Sequence, residues 1–145
     1  MNCYFRKLEA ADIPMILRMN EDFRENFIEK DSILRFLSDN RNVLFASIMD
    51  GIVIGFAYGY VLSRMDNKPD MLYIHEVGVM KKYQHQGIGF EMMTKLKSWC
   101  RENNINKYFL SCYQNNIGAN RLYKKLGGSV PPESQGNDTL YFFLT

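Results

Sequence analysis

The chain has 145 residues, 46% apolar and 14% aromatic, which is enough to build one core in a single domain spanning 1–145. Its formal net charge of +2 lies too near balance for a nucleic-acid-binding surface, so no nucleic-acid partner is expected. Cys3, Cys100 and Cys112 include no C-x-x-C pair, which argues against a disulfide framework or a zinc site and for a reducing, cytoplasmic setting.

The opening "MNCYFRKLEAADIP" carries charges within its first turns and no apolar run long enough for a signal peptide or a span, so no membrane partner is expected. "NCYFRKL" reads as a first strand. "AADIPMILRMNEDF" has Ile13, Ile16, Leu17 and Phe23 at helical spacing, with Asp12 as the expected N-cap and Pro14 in the first turn, where its missing N–H is harmless. A second short helix is expected through "KDSILRFLSDN". The period then changes: "NVLFASIMDGIVIGFAYGYVLS" is two β-rich runs around Asp50-Gly51, a pair suited to a type I′ hairpin turn.

After the polar "RMDNKPD", the run "MLYIHEVGVM" reads as a long strand with His75 and Glu76 in its middle. Strict alternation puts Tyr73, His75, Val77 and Val79 on one face and Ile74, Glu76 and Gly78 on the other. From Gly87, the positions Ile88, Met92, Met93, Leu96, Trp99 and Cys100 follow a helical period. "NKYFLSCY" is a strand, Ala119, Leu122, Tyr123 and Leu126 mark one helix face, and "LGG" closes that helix. "GSVPPES" and "DTLYFFLT" suggest a final strand or hairpin, with Pro131-Pro132 imposing an irregular link. No repeat or linker interrupts this mixture of strands and helices.

"YQHQGIGFEMM" sets Gly87 and Gly89 where the third helix starts. Glycines there permit unusual torsions and let a ligand approach peptide N–H groups directly. The first N–H groups of a helix have no partner inside it, and its dipole makes that end positive, so a pyrophosphate is a natural ligand. The alternative is that both glycines only shape a tight turn. Charge is unevenly distributed. Lys81, Lys82, Lys95, Lys97, Arg101, Lys107, Arg121, Lys124 and Lys125 make the second half basic, while Glu21, Asp22, Glu25, Glu29, Asp31 and Asp39 sit in the first. Such asymmetry suggests an anionic ligand on one side.

"QHQGIG", residues 84–89, resembles the Q/R-x-x-G-x-G/A acetyl-CoA signature of the GCN5-related N-acetyltransferase (GNAT) family, and "NNIGANRLYKKLGG" resembles that family's distal N-x-x-A-x-x-L-Y-x-x-x-G segment. Within the family, "DGIVIGFAYGYVLSRMDNKPDMLYIHEVGV" is similar to the central hairpin and fourth strand of type I aminoglycoside 3-N-acetyltransferases. The resemblance implies an α/β (α+β) GNAT fold: a mixed, mostly antiparallel central sheet of six to seven strands flanked by about four helices. It also implies acetyl-CoA as cofactor. The pyrophosphate would lie on Gln84, His85, Gln86, Gly87, Ile88 and Gly89, the pantetheine arm along the peptide groups of Val77, Gly78 and Val79, and further contacts would come from Asn116, Ala119 and Tyr123. Related enzymes carry a β-bulge in the strand of Glu76, which would relax the parity separating His75 from Glu76.

The chemistry adds its own demands. An amine resembling a lysine side chain has a pKa of about 10.4 and must lose a proton before it attacks. Glu76, in an apolar strand where burial would raise its pKa, is the first candidate base, acting directly or through a water, and the resemblance supports that position. Its alternative is an ion-paired structural carboxylate. His75, with an unperturbed pKa of about 6.5, is the second candidate. Tyr123 matches the family's general-acid tyrosine but would also serve as a core residue, and Asn116 would also serve as an N-cap. Cys100 and Cys112 read as packing residues, and His75 and His85 alone make no metal site.

The expected activity is acetyl transfer from acetyl-CoA to a primary amine of a small molecule, an aminoglycoside being one option, by direct attack in a ternary complex. A protein or peptide N-acetyltransferase and a non-catalytic coenzyme A sensor are the alternatives. Expected partners are a small-molecule amine acceptor and, as the candidate assembly, a second copy in a homodimer.

Overall fold

A computed structural model describes residues 3–23, 27–130 and 138–145. Among the described residues six strands form one sheet in chain order: β1 (Cys3–Lys7), β2 (Asn42–Met49), β3 (Ile52–Leu62), β4 (Asp70–Val79), β5 (Ile105–Tyr113) and β6 (Asp138–Leu144). Four helices accompany them there: α1 (Ile13–Phe23), α2 (Lys30–Ser38), α3 (Ile88–Glu102) and α4 (Ile117–Lys125). Every neighbouring pair of strands is antiparallel except β4 and β5. A parallel pair needs a crossover, and α3 supplies it. The expected mixed, mostly antiparallel architecture is therefore present, with six strands.

Each face of the sheet has its own core. On one, Met92, Met93 and Leu96 of α3 and Tyr123 of α4 pack on Phe45, Ala57, Leu72, Ile74 and Phe143. On the other, Ile16 and Met19 of α1 and Ile33 of α2 pack on Leu44, Ala46, Ile48 and Phe56. Because both faces of β2 are covered, every residue from 43 to 49 is buried, which explains its nearly continuous apolar sequence. The turn to β3 is as expected: Asp50 and Gly51 both take positive φ, 53° and 74°, as a type I′ turn requires.

Both ends of the helical segments rest on identifiable contacts, one of them different from the expectation. Asp12 is not the N-cap. A single 3-10 turn, Ala10–Asp12, precedes α1, and Glu9 occupies the capping position. The chain becomes helical one turn earlier because Asp12 reaches back from inside that turn: its carboxylate accepts the Glu9 N–H at 2.8 Å and both Arg6 guanidinium nitrogens at 2.8 and 2.7 Å. At the other end, "LGG" closes α4 as expected. Gly127 has φ 87°, its N–H donates to Lys124 O at 3.1 Å, and the Gly128 N–H donates to Tyr123 O at 2.9 Å, a Schellman motif.

Ser129 exchanges two 2.9 Å backbone hydrogen bonds with Phe142, which brings the chain after α4 to β6. The expected irregular link at Pro131-Pro132 lies outside the described residues. Among the described residues no helix is long and apolar enough to cross a membrane.

The Arg6–Asp12 contact has a pH signature. Hydrogen bonding from Arg6, supplemented by the Glu9 N–H, holds the Asp12 carboxyl below its ordinary value of 3.8. Its contribution to stability is therefore complete above that value and is lost as pH falls through the lower folded value. Asp12→Asn is expected to lower the thermal unfolding midpoint at neutral pH, with the gap to wild type closing in the acid range. A gap that stays constant with pH would show that the ion pair contributes nothing.

Candidate active site

The site starts from an irregularity in β4. Tyr58 of β3 lies opposite Glu76 but Gly59 lies opposite Ile74, so His75 is an extra residue, a β-bulge. Strict alternation is thus broken, by the β-bulge that the resemblance implied for this strand. Leu72, Ile74 and Val77 belong with the α3 core, whereas Glu76 and Gly78 turn to the opposite face. Gly78 lies under Phe56, whose ring a Cβ would meet at 2.6 Å. Glu76 is half-buried and lines a cleft of roughly 1270 Å³ beside Tyr58 and Tyr60. His75 is exposed and outside the cleft lining. Its Nδ1 lies 3.2 Å from the Tyr73 hydroxyl, and its ring centre 5.3 Å from that of Tyr58.

The same stretch of β4 leaves its other edge open. Pairing with β5 ends at Tyr73 and Phe109, although β4 continues to Val79. The Met80 N–H donates to Ile54 O at 2.8 Å, which sets the phase of the β3–β4 ladder. In an antiparallel ladder successive residues point their peptide groups to alternate sides, so Val77 and Val79 present theirs away from β3, toward the gap. Gln84 bonds into that edge, its Nε2 donating to Val79 O at 3.0 Å.

Between β4 and α3 the chain passes through a 3-10 turn, Lys81–Tyr83, and then takes positive φ at His85 (63°) and Gly87 (81°). Gln86 Nε2 donates to Lys82 O at 3.1 Å, so both glutamine side chains brace the loop. Gly87 is the residue before α3 and no side chain caps the helix. The first N–H groups of α3 consequently have no intrahelical acceptor. The two glycines have different local reasons. Gly87 supplies a left-handed torsion with nothing within 4 Å of where a Cβ would be, whereas a Cβ on Gly89 would come 3.3 Å from Leu122 Cδ2. Gly89 thus lets α4 approach the start of α3.

Asn116 lines the cleft and caps α4, its Oδ1 accepting the Ala119 N–H at 3.1 Å. Ala119 packs against the α3-side core. Tyr123 is 6% exposed and does not line the cleft; its ring centre lies 5.5 Å from Tyr141 and 6.1 Å from Phe143. Burial raises its phenol pKa, so it is protonated at neutral pH. Tyr58, beside Glu76, is pushed up to about 12 by burial first and the Glu76 charge second. Cys100 is fully buried and pushed up to about 12 by desolvation, which suits packing and not nucleophilic chemistry.

Asn120 was not singled out from sequence. Its Nδ2 donates to the carbonyls of Tyr113 at 3.0 Å and Asn116 at 2.8 Å, while its Oδ1 accepts the Tyr141 hydroxyl. It therefore fixes the β5–α4 loop from which Asn116 reaches the cleft. A half-buried asparagine within a helix gives no sequence signal for such a role. Among the described residues no group of three or more His, Cys, Asp and Glu side chains could hold a metal ion.

An open strand edge, a helix N-terminus with no side-chain cap and a carboxylate turned into the cleft make this the candidate active site. The family model for the acetyltransferase (GNAT) family matches residues 11–128. The chain belongs to that family, and it is an N-acetyltransferase that uses acetyl-CoA. No curated protein matches it in sequence. Among solved structures it is similar to an aminoglycoside acetyltransferase from an uncultured soil metagenomic sample in complex with sisomicin, at 18% identity and TM-score 0.77 over 92% of this chain and 91% of that one. It is also similar to NAA60 of Arabidopsis thaliana in complex with acetyl-CoA, at 18% identity and TM-score 0.75 over 99% and 98%. Ard1 from Thermoplasma volcanium gives 21% identity and TM-score 0.72 over 99% and 98%. These likenesses concern the fold.

Acetyl-CoA suits the residues present: an anionic pyrophosphate matches the uncapped start of α3 beside Lys81 and Lys82, and an amide-bearing arm matches the open edge of β4. Gly87→Ala puts an L-residue into a left-handed torsion, costing about 1 kcal/mol or forcing the loop to change. Calorimetry is expected to give acetyl-CoA affinity weakened on the order of tenfold with the fold retained. Unchanged affinity in the folded variant would remove this loop from the cofactor site.

Proposed function

We propose that the protein acetylates a primary amine of a small cationic molecule, with aminoglycosides as the leading class, and that Glu76 is the base. One observation carries the reading. The bulge turns Glu76 into a cleft whose α1 and α2 side carries Glu21, Asp22 and Glu29, while Lys81 and Lys82 are the basic residues of its lining among the described residues and come from the β4–α3 loop. Asp22 is partly neutralised by Arg18 at 3.4 Å. A group of carboxylates on this side of the cleft favours an acceptor carrying more than one positive charge. Phe27, Phe36 and Tyr60 add flat apolar surface suited to the body of such a molecule.

Acetyl-CoA, when bound, supplies an acetyl thioester that the neutral amine attacks directly in a ternary complex. The loop of residues 84–89 and the start of α3 hold the pyrophosphate, and the peptide groups of Val77 and Val79 orient the pantetheine arm. Glu76 accepts the amine proton, directly or through a water. In this reading the phenol of Tyr123, kept protonated by burial, gives its proton to the departing sulfur, although its ring lies outside the cleft lining.

Acetyl transfer to aminoglycosides, polyamines and peptides tests the acceptor class. Turnover confined to peptide N-termini would contradict the small-molecule reading. Coenzyme A binding without turnover of any amine would favour the sensor.

Glu76→Gln keeps shape and removes basicity, so kcat should fall on the order of a hundredfold at neutral pH and recover in part at high pH, where free amine is present. His75→Gln should cost less, given its position outside the cleft lining. The reverse order of losses would exchange the two assignments.

Tyr123→Phe separates acid from packing. A general acid predicts a lower kcat with acetyl-CoA affinity nearly constant, and a smaller loss with an acyl donor whose thiol is more acidic. Wild-type turnover by the variant, with chemistry limiting, would leave Tyr123 as a core residue only.

A further inference from the structure

We infer that Gly59 is a positioning residue for Glu76, acting through the bulge at His75. The inference rests on the reading of Glu76 as the base. Gly59 is buried in β3 opposite the bulge, where it pairs with Ile74 just after Tyr58 pairs with Glu76. A Cβ at this position would lie 1.8 Å from the Tyr73 carbonyl oxygen, 2.8 Å from the Tyr73 carbonyl carbon and 2.9 Å from Ile74 Cα. All three atoms are backbone, so no rotamer change can relieve the contact. The other glycines of the sheet differ. A Cβ on Gly55 would find only ordinary contacts at 3.5 Å, and one on Gly78 would meet the side-chain ring of Phe56.

The backbone that fills the space beside Gly59 is the backbone displaced by the extra residue. That residue decides where Glu76 points. Ile74 is 1% exposed in the α3-side core. In a regular strand, residues two apart share a face, so Glu76 would follow Ile74 into that core, or Ile74 would follow Glu76 into the cleft. The bulge lets the two point to opposite faces. The missing side chain of Gly59 is the space in which the bulge is accommodated, so a residue that never touches the substrate sets the direction of the base.

Two measurements test this. First, Gly59→Ala should lower the unfolding midpoint, and deletion of His75 in the same chain should restore it, because a regular ladder has room for alanine and leaves Ile74 and Glu76 on opposite faces. A Gly59→Ala protein as stable as wild type overturns the inference. So does one whose stability, or folding where it is lost, does not return on deleting His75.

Second, kcat is compared for Gly59→Ala in the wild-type and Glu76→Gln backgrounds. If Gly59 acts through Glu76, the loss should be on the order of a hundredfold in the first and less than about threefold in the second. Equal losses in both backgrounds would make Gly59 merely structural. Wild-type turnover by Glu76→Gln alone would overturn the base assignment and with it this role of Gly59, whereas equal losses overturn the role of Gly59 and leave the base standing.

Discussion

A strand that alternates its side chains cannot put residues two apart on opposite faces, yet β4 holds Ile74 in the α3-side core and Glu76 in the cleft. The extra residue at His75 resolves this conflict. The β4–β5 ladder stops at Tyr73 and Phe109, at the start of the same irregular stretch, leaving Val77 and Val79 with peptide groups directed into a gap. One local departure from regular pairing thus turns a carboxylate into the cleft and coincides with an open strand edge.

Around this point the cleft carries charges of both signs, contributed by different parts of the chain. Lys81 and Lys82 precede an uncapped helix start whose N–H groups favour an anion, while Glu21, Asp22 and Glu29 line the cleft from the α1–α2 region. Glu76 lines the same cleft. The surrounding structure keeps these parts in register by specific contacts. Arg6 and Asp12 tie the entry to α1 onto β1, Asn120 braces the loop that delivers Asn116, and the Gly89–Leu122 contact lets α4 sit against the start of α3.

Features that depend on residues close in sequence were legible in advance. Asp50-Gly51 predicted its own turn, "LGG" its helix end and Gly87 its helix start, because each requires a torsion that few residues adopt. Features that depend on a partner in another element were not. Asp12 resembles a cap until Arg6 of the preceding strand, six positions back, is seen to compete for its carboxylate. Gly59 reads as one more glycine in a β-rich run, since only the pairing with β4 shows what would occupy the space of its side chain. For Glu76 the residue type pointed to a base, but alternation alone assigned it the face of Ile74; direction came from the bulge. Tyr123 illustrates the converse. Its sequence context matches a motif, and its helical spacing matches a core, and the buried ring against Tyr141 and Phe143 is compatible with both.

The central claim is that the edge of β4 beyond Tyr73 receives the donor as a further strand would. Amide hydrogen exchange, resolved by residue with and without acetyl-CoA, tests it most directly. Val77 and Val79, whose N–H groups face the gap, should exchange rapidly in the free protein and become protected when acetyl-CoA is present, while Met80, already bonded to Ile54, should change little. Protection of Val77 and Val79 in the free protein, or none on adding a saturating amount of acetyl-CoA, would contradict the account.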